Sequence, residues 1–143
     1  ELCDDGSRLP IYWTSMYSPC LGIFLPMFVE GDLPGALSYG AAEQIDYSVW
    51  WLFRRLAGAV LDAPERRVAA VRSEWAPLQA ALFKTAYATA REGRRLLDAD
   101  RPEDAHKLLT DHMAENLSSV VLVAATLLES YAGDRIPLAS RPL

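Results

Sequence analysis

The feature that most constrains the fold of this chain is a four-residue pattern, Asp-x-Pro-Glu, which occurs at 62–65 and again at 100–103. Proline is favoured in the first turn of a helix, where its missing N–H costs nothing, and an acidic residue there suits the helix dipole. With the aspartate as the cap, the pattern fits a capping box. It predicts that one helix begins near Pro64 and another near Pro102.

Apolar residues follow both patterns at alternating spacings of three and four, which is typical of a helix-packing seam. The two seams are Val68, Val71, Trp75, Leu78 and Leu82, and then Leu109, Met113, Leu117, Val120, Ala124, Leu127 and Tyr131. Pro77 predicts a bend in a helix of about 64–98, because proline removes one hydrogen bond. The run from Val121 to Val123 predicts burial on several sides, and Gly133 is a good stop. Two long helices joined by a short turn form an antiparallel hairpin.

A shorter helix is predicted before this hairpin, from about residue 47 to Leu61. Asp46 or Ser48 can cap it. Its apolar residues recur at the helical period and are Val49, Leu52, Phe53, Leu56 and Val60. Trp51 and Arg55 lie four positions apart, so a cation–π contact is predicted between them.

The segment from Arg8 to Val29 is rich in aromatic and β-branched residues, which favour strands. Pro10, Pro19 and Pro26 interrupt it, so its strands must be short, bulged or at an edge. The expected fold class is therefore α+β, with short antiparallel strands followed by three helices. The expected divisions are strands over 1–30, a connection over 31–46, helices over 47–133 and a tail over 134–143.

Composition narrows the possible functions. The chain has 143 residues, a net charge of -5 and scattered basic residues, which argues against nucleic-acid binding. Its apolar runs are far shorter than the roughly 20 residues of a membrane helix, so no membrane partner is predicted. Two cysteines, Cys3 and Cys20, suggest a reduced, cytoplasmic protein. The strand-like start at Glu1, with a turn directly after it, predicts that a further part of the protein, or a second chain, precedes this one.

The candidate rim of a substrate pocket consists of Ser15, Ser18 and Cys20. The alternative is an ordinary loop in which Cys20 is a small buried residue at a strand start. His106 and His112 lie six positions apart, so on a helix they point in different directions, and a surface role without metal is predicted for both. No nucleophile, base and oxyanion hole come together in the sequence, so neither catalytic residues nor a cofactor are predicted.

One segment carries a family resemblance. The run from Tyr12 to Phe28 has a Trp-containing strand, a small-residue turn with Pro-Cys, and a second strand of the form hydrophobic-Phe-hydrophobic-Pro. It is similar to the C-terminal half of secernin-like cysteine dipeptidases. A Trp-Trp segment over 48–56 then opens a helical stretch, as in that family. The resemblance covers about residues 8–131.

The resemblance implies an N-terminal-nucleophile (Ntn) hydrolase with a four-layer α/β/β/α sandwich. In such enzymes a processed N-terminal cysteine cleaves amide bonds, with its own amine as the base. Residue 1 here is Glu, and the family's nucleophile lies far upstream of the matching segment. The chain is then expected to supply outer strands, helices and a pocket wall, without activity of its own. The alternative is a non-catalytic helical module for protein interaction or oligomerisation, and a homo-oligomer is expected under either hypothesis.

Overall fold

The computed structural model describes residues 6–39, 41 and 48–132. Within that part the chain is α+β, as predicted, with two antiparallel strands followed by three helices. The elements are β1 (Tyr12–Ser15), β2 (Phe24–Met27), a short 3-10 turn (Gly35–Leu37), α1 (Val49–Leu61), α2 (Pro64–Asp98) and α3 (Pro102–Ala132). Cys3, Asp46 and the predicted tail 134–143 lie outside the described residues.

Both long helices begin at the prolines that the Asp-x-Pro-Glu pattern marked. The predicted capping role of Asp62 is wrong. Asp62 is the C-terminal cap of α1, and Ala63 is the N-cap of α2, with no side-chain cap hydrogen bond. Because only two residues separate α1 from α2, Asp62 completes the last turn of the first helix. Ser48 does cap α1, since its hydroxyl accepts a 3.4 Å hydrogen bond from the Trp51 N–H.

The antiparallel arrangement of α2 and α3 is confirmed by contacts along their whole length. The Arg67 guanidinium lies 4.7 Å from the Tyr131 ring centre, and Thr89 Oγ1 lies 3.3 Å from His112 Nδ1. Further along, Gly93 approaches Leu109. The residue numbers in these pairs fall on α2 as they rise on α3, which defines an antiparallel hairpin. Helix α1 packs against both of its members.

The core follows the two predicted seams closely. Its part on α2 and α3 is Val71, Trp75, Leu82, Ala86, Ala90, Leu109, Met113, Leu117, Val120 and Ala124. The prediction that α3 is buried on several sides near its middle is wrong, because Leu122 is 68% exposed. Val121 and Val123 are half-buried. Helix α3 therefore keeps one face toward solvent over its whole described length.

The sheet consists of β1 and β2, paired so that Trp13 lies opposite Pro26 and Ser15 opposite Phe24. The Phe24 N–H donates to Gln79 Oε1 at 2.7 Å, and the Phe24 carbonyl accepts from Gln79 Nε2 at 3.0 Å. Both backbone groups of Phe24 thus point away from β1. Hydrogen-bonded and non-bonded pairs alternate in an antiparallel ladder, so the backbone nitrogen of Pro26 also faces away from β1. Because proline has no N–H to donate, no bond between the two strands is lost there.

The two edges of this sheet therefore differ. The Gln79 side chain occupies the place of a third strand at the outer edge of β2. On β1, the N–H and C=O groups of Trp13 and Ser15 point away from β2 by the same alternation. No third strand joins β1 within the described part of the chain. The prediction that these proline-interrupted strands are short, bulged or at an edge is confirmed, because each has four residues and the described sheet has two strands.

Long-range contacts fix the sheet on the helices. Trp75 Nε1–H donates to the Leu21 carbonyl at 3.0 Å, and the buried Phe28 N–H donates to Met113 Sδ at 3.3 Å. The ring of Trp13 lies 4.4 Å from that of Phe83 on α2. The hairpin is thus held by α2 on one side and by α3 where β2 ends.

Candidate functional site

The predicted pocket rim lies on the turn that joins β1 to β2. Tyr17 adopts a left-handed backbone conformation with φ of 60°. The Leu21 N–H then donates to the Ser18 carbonyl at 3.1 Å, which closes the turn. Gly22 lies so close to β1 that a Cβ there would come within 2.8 Å of Ser15 Oγ. This backbone path places Cys20 at the tip of the turn.

Cys20 is exposed, so the prediction that it is a small buried residue is wrong. The strand begins only at Phe24, and the turn before it extends into solvent. Ser18 Oγ lies 3.3 Å from Cys20 Sγ. Hydrogen bonds from Ser18 and from its own backbone N–H, with a smaller effect of the Arg72 charge, lower the pKa of the Cys20 thiol.

The three predicted rim residues do not act together. Ser18 and Cys20 are paired, whereas Ser15 Oγ is buried and has no hydrogen-bond partner among the described residues. The turn thus presents an exposed thiol of lowered pKa next to one hydroxyl. A thiol of this kind becomes an efficient nucleophile when a base lies beside it.

Neither histidine is bonded to Cys20. His106 Nδ1 lies 2.8 Å from the Glu30 carbonyl, and its Nε2 lies 3.2 Å from Asp32 Oδ2. His112 is held between Thr89 and Asn116, at 3.3 Å and 2.9 Å. Both imidazoles are thus used to connect elements of the fold.

The surface role predicted for His112 is wrong. It is half-buried between α2 and α3, and its ring lies 6.0 Å from the ring of Phe28. Burial lowers the pKa of His112, although Glu115 acts in the opposite direction. A neutral ring can donate from one nitrogen to Thr89 and accept at the other from Asn116. His106, by contrast, is exposed, as predicted.

An exposed aromatic cluster lies beside the turn, and the sequence pattern did not single it out as a site. Tyr17 packs edge-on against Trp50 at 5.4 Å, and Trp50 against Trp51 at 4.9 Å. The Arg54 guanidinium lies 4.6 Å from the Trp51 ring. The predicted partner, Arg55, is therefore wrong. The adjacent Trp-Trp pair was the available signal in the sequence.

A shallow cleft of about 210 Å³ lies where α1 ends, α2 begins and α3 ends. Arg67, only 6% exposed, donates to the Ala59 carbonyl at 2.6 Å and covers the Tyr131 ring. Burial raises the pKa of Tyr131. The guanidinium thus ties three helices together, and Arg55 and Asp62 line the cleft opening.

Among the described residues, no group of three or more His, Cys, Asp or Glu side chains is placed to hold a metal ion. In the same part of the chain, no helix is both long and apolar enough to cross a membrane. Comparison with known proteins finds no family model, no curated protein and no solved structure that matches.

Ser18 should control the reactivity of the Cys20 thiol. In a Cys3→Ser background, we expect Ser18→Ala to raise the pKa of Cys20, because the largest stabilising contact to the thiolate is lost. Alkylation by iodoacetamide near pH 7 should become slower, and its pH profile should move to higher pH. Thr14→Ala, a change on an exposed strand position, is the matched control. Identical pH profiles for the Ser18 variant and its parent would contradict this account.

His106 should make the attachment of residues 30–32 to α3 dependent on pH. The Glu30 carbonyl, and then Asp32, raise the pKa of His106. A raised folded-state pKa stabilises the fold fully below the unfolded value of about 6.5, and the stabilisation is lost as pH rises through the folded pKa. Thermal midpoints of the wild type and His106→Gln should therefore converge between pH 6 and 8.5. A difference that stays constant or grows over this range would contradict the assignment.

Proposed function

We propose that this chain is the non-catalytic C-terminal part of a secernin-like amidohydrolase, an enzyme that cleaves amide bonds of the dipeptide type. The observation that carries the proposal is the isolation of Cys20, the one exposed thiol in the part of the chain that the structure describes. Cys20 has Ser18 beside it, while both imidazoles are bonded elsewhere, to Glu30 and Asp32 and to Thr89 and Asn116. Among the described residues, this exposed thiol is thus paired with no base.

The shape of the sheet supports the same proposal. The segment that carries the resemblance forms a strand, a turn and a strand, followed by helices. Helices cover the hairpin on the side of α2, where Trp13 packs on Phe83. In the α/β/β/α sandwich that the resemblance implies, helices cover the outer face of each sheet and the two sheets pack together on their inner faces. In that arrangement Ser15, Ser18 and Cys20 would line the wall of a pocket built mainly by another part of the enzyme.

The proposed enzyme would need a further polypeptide segment and would be cytoplasmic. The nucleophile would come from a preceding part of the same protein or from a second chain. No cofactor takes part, because the amine of the N-terminal cysteine would act as the base. The exposed, unpaired Cys20 suits a reducing cytoplasm.

Two assays test the proposal. The purified chain should not hydrolyse dipeptides above background, and Cys20→Ser should leave this unchanged. Intact-mass analysis and N-terminal sequencing of the protein isolated from its native source should reveal a companion segment that begins with cysteine. Dipeptide turnover that survives repurification of the isolated chain, and that Cys20→Ser abolishes, would place the nucleophile in this chain and overturn the proposal.

A second candidate function is a non-catalytic module that binds other proteins. The partly exposed cluster of Tyr17, Trp50, Trp51 and Arg54 favours it, because aromatic residues and arginine are enriched where proteins bind each other. A self-contained module should remain stable and monodisperse without any companion segment. Aggregation of the isolated chain, relieved by a companion that begins with cysteine, would favour the hydrolase instead.

A further inference from the structure

We propose that β1 is a homodimerisation strand, which pairs antiparallel with β1 of a second copy about a two-fold axis at Thr14. The inference does not depend on the hydrolase assignment. The outer edge of β2 is closed to a further strand, whereas the outer edge of β1 is not. Pro26 and the Gln79 amide close β2 against a further strand. The residues from Ile11 to Tyr17 include neither a charge nor a proline, the usual protections of an edge strand.

The hydrogen-bonding groups of this edge match those of a second copy. The outward N–H and C=O groups belong to Trp13 and Ser15, which lie on either side of Thr14. In an antiparallel pair centred on Thr14, Trp13 lies opposite the second copy's Ser15, and Ser15 opposite its Trp13. All four outward groups of each strand are then bonded. The neighbouring registers about a two-fold axis would have to pair Ser15 with Ile11 or Trp13 with Tyr17, and both of these partners lie outside β1.

The side chains suit the same register. Thr14 would lie opposite Thr14, and threonine pairs stabilise neighbouring strands. Tyr12, which is 57% exposed, would lie opposite Met16 of the second copy, where sulfur can contact the ring. No like charges meet across the axis. Because the far edge of each copy is closed by Gln79, the assembly ends as a four-stranded sheet of two chains and does not grow into a fibre.

Cysteine cross-linking tests the register in a Cys3→Ser, Cys20→Ser background. Residues directly opposite in a non-hydrogen-bonded pair have Cα atoms about 4.5 Å apart, which permits a disulfide. Mild oxidation of Thr14→Cys should therefore give a covalent dimer. Tyr12→Cys is the matched control, because residue 12 and its copy would lie four residues, or roughly 13 Å, apart along the strands. Equal cross-linking at both positions, or none at position 14, would overturn the proposal.

Equilibrium sedimentation of the uncross-linked chain tests the same interface independently. Ser15→Pro removes an outward N–H from each copy, so the dissociation constant of the dimer should rise roughly ten- to hundredfold. Bonds between β1 and β2 do not use that N–H, so far-ultraviolet circular dichroism should be retained. A folded monomer at every concentration would overturn the proposal. So would protection of the Trp13 and Ser15 amides that appears only when the preceding part of the protein is added, because that part would then be the occupant.

Discussion

Replacing Trp75 by alanine is expected to lower the free energy of unfolding by about 3–5 kcal/mol, the usual cost of deleting a buried tryptophan. Trp75 is 4% exposed and stacks on Phe53 with ring centres 6.0 Å apart. Its N–H also donates to the Leu21 carbonyl at 3.0 Å, which ties α2 to the turn before β2. The substitution would therefore open a cavity and leave a carbonyl without its donor. Urea denaturation followed by circular dichroism measures the loss.

Trp75→Phe separates the two contributions. It keeps an aromatic ring against Phe53 but removes the donor to Leu21, so we expect a smaller loss of about 1–2 kcal/mol. Hydrogen exchange should then increase at residues 21–24 more than in α3. Equal losses for both variants would contradict this account, because they would assign the whole effect to the hydrogen bond.

Gly31→Ala is expected to cost about 1–3 kcal/mol, the range for forcing an extra methyl group into a packed site. A Cβ at residue 31 would lie 2.9 Å from the backbone nitrogen of Thr110 and 2.8 Å from Met113 Cε. The methionine end can move, but the α3 backbone cannot. Residues 30–32 would have to lift away, which would also break the 2.9 Å hydrogen bond from the Asp32 N–H to Thr110 Oγ1.

Gly58→Ala is the matched control for this prediction. Gly58 lies in α1, and nothing comes within 4 Å of a Cβ added there. Alanine in an exposed helix position should raise the free energy of unfolding by about 0.5–1 kcal/mol. The two Gly→Ala changes should therefore move the urea midpoint in opposite directions. A stabilising Gly31→Ala would show that the turn does not lie tightly against α3.

The helices could be predicted because their signals are local. Pro64 and Pro102 each fix a helix start through their own backbone, and the apolar seams fix which face is buried. The role of Asp62 could not be predicted in the same way. The same residue can end one helix or begin the next, and the choice depends on how closely α1 and α2 follow each other. Leu122 was misjudged because periodicity does not report how many neighbours a helix has.

The candidate site was predictable only in outline. Ser18 and Cys20 were placed correctly on a turn, but the exposure of Cys20 depends on how far that turn extends from the helices. The burial of His112 depends on Thr89, 23 residues earlier in the sequence, which no local pattern reveals. The selection of Arg54 over Arg55 as the partner of Trp51 similarly depends on side-chain directions around α1. In each case a tertiary contact decides the outcome, whereas the sequence patterns are local.

The contacts that fix the strands have a consequence for synthesis on the ribosome. Phe28 donates to Met113, a residue 85 positions later, and Phe24 to Gln79, 55 positions later. At translation rates of roughly 5–20 residues per second, the aromatic hairpin waits about 4–17 s before α3 exists to receive it. Until Gln79 is made, roughly 3–11 s after Phe24 at the same rates, both edges of the hairpin are open. Nascent chains of this protein should therefore depend on a chaperone that shields extended, aromatic segments.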